Sequence, residues 1–141
     1  MTPTLIGRIQ TRLFLLVTVG AAWTILVVPF LPRFGASIGA VYTIAFFALI
    51  LVGVVGVGTE SVYHALQQRR WEKDWPILFG LLTGLPEFLV IGVLIAVLIP
   101  GANLFTVFLH FTTTWVVIWL AANGPMRVLL LRWRYQGGKV L

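Results

Sequence analysis

Glu87 is the residue whose chemistry stands out, because it is the only charged side chain in an apolar stretch running from Pro76 to Pro100. At about 1.5 Å of rise per residue, its distance from Pro76 places it roughly 16 Å into a hydrocarbon core of about 30 Å. A charge at that depth costs about 2.5–3.5 kcal/mol on insertion scales. The carboxyl is therefore expected to be shielded from lipid, to face the bundle or a partner, and to stay mostly protonated, since burial disfavours the charged form. Leu85-Pro86-Glu87 adds a second polar feature. Proline has no N–H for the ladder and clashes with the carbonyl four residues back, which frees the Leu82 acceptor in the same turn.

His110 is the expected partner. Counted inward from Asn103 it lies about 10–12 Å below the membrane surface, against about 18 Å for Glu87 counted from Ile99, so modest tilt would let the two meet. Thr83 and Thr113 lie at comparable depth, and threonine hydroxyls can satisfy themselves on their own helix. An intramembrane polar site of Glu87, His110, Thr83 and Thr113 is the resulting expectation; it serves either as a structural bond or as a proton relay. Glu60 and His64 stand one helical turn apart on a common face and read as an interfacial pair. Two groups rarely hold a cation alone, so no metal site is expected. The two histidines lie on different spans at different depths, which disfavours haem, and no cofactor is expected.

These residues must be positioned by membrane helices. Of 141 residues 60% are hydrophobic, and the mean hydropathy is +1.01, so lipid must cover surface that a water-soluble core of this size could not hide. The apolar blocks predict four spans at roughly 13–31, 36–58, 76–99 and 104–122. A helical extension follows over 59–73 and a basic tail over 126–141. The first block is too long for a secretory h-region and reads as a retained span. Short connections make neighbours antiparallel, giving an all-α four-helix bundle in a single transmembrane domain.

Nine of the ten Lys and Arg residues fall in three segments that an even number of spans places on one side: Arg8 and Arg12, then Arg69, Arg70 and Lys73, then Arg127, Arg132, Arg134 and Lys139. Only Arg33 is opposite, so both termini are expected in the cytoplasm, in a bacterial inner membrane. Trp71, Trp75, Trp133 and Tyr135 fit an aromatic belt at that interface. Anionic lipid headgroups are the expected counter-charges, and positive-inside topology explains the basic tail without nucleic acid. The tail is expected either to lie along the membrane surface or to extend the fourth span past a kink at Asn123-Gly124-Pro125.

Gly80 with Gly84, and Gly53 with Gly56, provide small positions where helix backbones could approach closely, within the bundle or across an oligomer. There is no cysteine, phosphate-binding glycine loop, Ser–His–Asp pattern or HExxH pattern. The sequence therefore points to a non-enzymatic accessory subunit or homo-oligomer that assembles with other membrane helices. The alternative is a proton- or ion-conducting protein centred on Glu87 with His110.

Overall fold

A computed structural model describes residues 3–141, and the described chain is all-helical, without strands. Four helices are long and apolar enough to cross a membrane: Leu5–Phe30, Ile38–Gln68, Ile77–Leu98 and Leu104–Leu129. They are termed here the first to fourth helices. Each of three N-termini is closed by a side-chain acceptor, as the unpaired first-turn N–H groups require. Thr4 accepts from Gly7 N at 3.1 Å, Ser37 from Ala40 N at 3.1 Å, and Asn103 Oδ1 from Phe105 N and Thr106 N at 3.0 and 3.1 Å.

The first helix begins well before the apolar run that defines it in the sequence, so Arg8 and Arg12 are helical residues rather than a flanking arm. Over Leu16–Gly20 it widens into a π turn. The inward positions of this helix, Arg8, Arg12, Leu16, Gly20, Thr24 and Val28, recur every four residues. In a straight α-helix a four-residue step overshoots a full turn by about 40°, or about 200° over the whole row. A π turn absorbs one extra residue, about 100°, and so removes about half of that drift, bringing the two ends of the row closer to one face.

The second helix is one uninterrupted element of 31 residues. The segment expected as an extension thus belongs to the same rod up to Gln68. The third helix is broken at Thr83, between Ile77–Leu82 and Gly84–Leu98. The missing N–H of Pro86 explains a fault at this place, since Leu82 loses its acceptor role in the ladder. The fourth is interrupted at Gly124, whose backbone (φ −108°, ψ −95°) is not helical, between Leu104–Asn123 and Pro125–Leu129, and a short helix follows at Leu131–Tyr135.

Three apolar layers fill the bundle. Val28, Leu31, Val41 and Ala45 pack at one end, and Leu15, Met126 and Trp133 at the other. Between them lies the largest, built around Leu16, Leu49, Val52, Ile91 and Phe111. Val54, Leu89 and Val97 face outward, as lipid contact requires.

The tail first prolongs the fourth helix past Gly124, as Pro125–Leu129. It then folds back on the first helix, where Thr11 Oγ1 donates to Gly138 O (2.8 Å), Trp133 Nε1 donates to Thr11 Oγ1 (2.6 Å) and Gln10 Oε1 accepts from Val140 N (3.0 Å). Gly7 makes this possible, because a Cβ there would overlap the backbone of Gly137 and Gly138. Trp133 is consequently buried rather than a member of an outward aromatic belt, whereas Trp71 and Tyr135 are exposed.

Candidate functional site

Glu87 sits on the inward row Gly84, Glu87, Ile91 and Ile95 of the third helix and is 1% exposed. Glu60 occupies the inward row of the second helix, one turn beyond Gly56. Between the two acids lies Arg12. Its Nη1 donates to Glu87 Oε2 at 2.6 Å and its Nη2 to Glu87 Oε1 at 2.8 Å, a two-pronged pair. Nε and Nη2 also donate to Glu60 Oε1, at 2.9 and 2.6 Å. Arg8 extends the array, with Nε donating to Glu60 Oε2 at 2.6 Å and Nη1 to Gln67 Oε1 at 3.1 Å. The Thr59 hydroxyl donates to Glu87 Oε1 at 3.1 Å. Two cations and two anions therefore neutralise each other inside the bundle and tie the first helix to the second and third.

This geometry revises the expected state of Glu87. Both carboxylate oxygens accept from a guanidinium, the arrangement of an ionised pair rather than of a neutral acid. Without such pairing, two acids and two arginines would each carry the full desolvation cost.

Glycines make room for the array. A Cβ on Gly56 would stand 2.6 Å from Arg12 Cδ and Nη1, and one on Gly84 would stand 2.5 Å from Trp115 Nε1. Trp115 in turn lies beneath the Arg12 guanidinium, 5.4 Å from its ring centroid, and donates from Nε1 to Leu81 O at 3.1 Å. At Gly80 and Gly53 a Cβ would meet only ordinary contacts, Trp119 at 3.7 Å and Leu13 and Leu16 at 3.8 Å. At all four positions the expected approach of helix backbones is replaced by a side chain from a neighbouring helix.

The expected Glu87–His110 bond does not form. His110 Nε2 instead lies 2.9 Å from Thr24 Oγ1, which donates to Gly20 O at 2.8 Å. One hydroxyl proton cannot serve both, so Nε2 carries the hydrogen and donates to Thr24, leaving Nδ1 an acceptor. Thr113 accepts from Trp23 Nε1 at 3.2 Å and donates to Leu109 O at 2.8 Å, while Thr83 Oγ1 donates to Gly80 O at 3.1 Å. Thr83 and Thr113 thus reach neither the Glu87 nor the His110 side chain, although the Thr113 hydroxyl also lies 3.2 Å from the His110 backbone carbonyl. Glu60 and His64 do not pair either: Glu60 turns to the arginines, and His64 Nε2 is 3.4 Å from Gln68 Nε2. Among the described residues no three His, Cys, Asp or Glu side chains gather as metal ligands.

Cavities lie along the bundle. One of about 410 Å³ reaches Arg8, Arg12 and Glu60 from the end where the tail packs. Another, of about 460 Å³, enters near Arg33 and Asn103 and reaches His110. Between them a gap of only about 10 Å³ is bounded by Leu16, Leu49, Val52 and Phe111, with His110 and Thr114 on its wall. It shares Leu16 and Val52 with the first cavity and Ala48 and His110 with the second. His110 Nδ1 and Thr114 Oγ1 are buried there without a protein partner. A gap of that size, with two polar atoms on it, suits one water.

Arg8 and Arg12 are the functional residues that sequence reasoning missed. Their signal was the four-residue row shared with Leu16, Gly20 and Thr24, which puts them on the buried face instead of in a solvated flank. No protein-family model, curated protein or solved structure matches the chain.

Proposed function

We propose that this is a proton-conducting protein of a bacterial inner membrane, a four-span bundle with antiparallel neighbours and both termini in the cytoplasm. The observation that carries this reading is the pair of cavities entering from opposite ends and separated by a gap of about 10 Å³. One water fits such a gap and a hydrated cation does not, so a proton passing along hydrogen bonds is the species that suits it. His110 stands on one side of the constriction and the Arg12–Glu60–Glu87 array on the other. His110 can take a proton at Nδ1 and release one from Nε2 toward Thr24, as an imidazole relay does. The array keeps a fixed neutral wall beside the pathway. Topology follows from the one-sided Lys and Arg, of which Arg69, Arg70, Arg132 and Arg134 would meet anionic headgroups.

The test is passive proton flux into vesicles holding a pH dye, driven by a potassium diffusion potential. Wild-type protein should acidify the lumen faster than protein-free vesicles, and His110→Phe should abolish the difference while remaining folded. Flux equal to that of empty vesicles would refute the reading.

A second reading, an accessory subunit or homo-oligomer without enzymatic activity, is favoured by the outer face of the second helix. A Cβ at Gly58 would meet nothing within 4 Å, and Val54 and Val62, one turn to either side, are exposed. Another membrane helix could pack on this row.

A further inference from the structure

The cavity at the tail end holds chemistry that proton transfer does not use. Its walls are indole rings, Trp75, Trp115, Trp119 and Trp133, and its polar lining includes Arg8, Arg12 and Arg127. Three of the four indole N–H groups are committed to the protein: Trp115 to Leu81 O, Trp119 to Ile77 O and Trp133 to Thr11 Oγ1. Those walls therefore present aromatic faces to whatever enters.

The arginines differ in how fully they are used. Arg12 spends four hydrogen bonds on the two acids. Arg8 spends two, one on Glu60 and one on Gln67. A guanidinium has five N–H donors, so more than half of the Arg8 fork has no protein acceptor, although the side chain is only 8% exposed. Its plane is held 4.6 Å over the Trp75 ring, which fixes the direction of the unused donors. Arg127 also reaches the cavity and has no acidic partner among the described residues. Of the acids nearby, Glu60 and Glu87 are neutralised by Arg8 and Arg12, and Asp74 lies 3.6 Å from Arg70. One positive charge, on Arg127, is left over and lines the same cavity as the unfilled Arg8 fork.

We propose that this cavity binds a phosphate ester with an apolar body, the phosphate on Arg8 and Arg127 and the body against the indole faces. Planar N–H forks match phosphate oxygens, and a volume of about 410 Å³ lies within the range of small-molecule sites. The same chemistry is offered by an anionic phospholipid and by a soluble aromatic phosphate. The site is independent of proton flux, because a protein that conducts nothing would still carry it.

The full chain is reconstituted in nanodiscs of phosphatidylcholine, with or without phosphatidylglycerol, and retained lipid is counted by native mass spectrometry. A parallel arm titrates phenyl phosphate into the phosphatidylcholine discs and follows tryptophan fluorescence. Wild type should either retain one phosphatidylglycerol in preference to phosphatidylcholine or show saturable quenching by phenyl phosphate; the arm that responds identifies the source. Arg127→Gln should weaken the response about tenfold, as expected for one lost charged hydrogen bond. Arg8→Lys keeps the charge beside Glu60 but loses the fork, and should weaken it similarly, while Arg33→Gln, outside this cavity, should leave it unchanged. No response in either arm, or variants of Arg8 and Arg127 that behave like Arg33→Gln, would overturn the proposal.

Discussion

Replacing Glu87 with Gln should destabilise the bundle, and replacing Arg12 with Gln as well should restore most of the loss. Glu87 and Arg12 share two hydrogen bonds of 2.6 and 2.8 Å, with side chains 1% and 10% exposed. Unit charges about 4 Å apart attract by about 4 kcal/mol at an effective dielectric constant of about 20. Removing Glu87 alone sacrifices that attraction and leaves a net positive charge in the interior, a loss of about 3–5 kcal/mol. Arg12→Gln should cost as much, because it strands Glu87 with only the Thr59 hydroxyl and leaves Glu60 to Arg8. The double variant removes one charge of each sign, keeps the Arg8–Glu60 pair and returns the site to neutrality. It should lie within about 1 kcal/mol of wild type, as neutral replacements of buried pairs often do. The coupling in the cycle should then be at least about 5 kcal/mol. Reversible unfolding of the four proteins in bicelles measures it. Single losses that simply add in the double variant would refute the argument, since each charge would then be acting alone.

The glycines give a graded series in the same assay. Gly53→Ala should be neutral or stabilising by up to about 1 kcal/mol through helix propensity, whereas Gly56→Ala should destabilise by about 2 kcal/mol or more by displacing a guanidinium that makes charge-assisted bonds. Equal effects at the two positions would show that Gly56 does not serve Arg12. For topology, a cysteine at position 102 should react with an impermeant reagent in intact cells; reaction only after permeabilisation would reverse the proposed orientation.

Hydropathy was enough to find the four long helices, because crossing a bilayer demands a length of apolar chain that nothing else in the sequence mimics. It also placed Glu87 among inward groups, since an acid at that depth cannot face lipid. Partners were harder. Depth along a helix axis is legible as a residue count, but rotation about the axis is set by packing, and a local π turn shifts it by about 100°. His110 and Glu87 looked compatible in depth, yet His110 faces Thr24 on the first helix. Arg12 was counted as a flanking charge because the apolar run begins at Leu13, although long arginine stems let a helix continue through such positions. The tail was opaque for a different reason: its docking depends on the absence of a side chain at Gly7, and hydropathy does not register an absence.

The array also bears on how the chain is made. Arg12 is neutralised by acids 48 and 75 positions further along, so synthesis delivers both arginines before either partner. Until then the first helix carries two unmatched cations, whose long side chains can reach the headgroups only if the helix stays shallow. A nascent chain that has reached the end of the second helix holds Glu60 alone, one acid for two arginines. Electroneutrality arrives with Glu87, and only then does the final depth of the first helix cease to carry a charge penalty. In a membrane, the ion pairs would thus impose an order on insertion, with the first helix settling only after the third has been made.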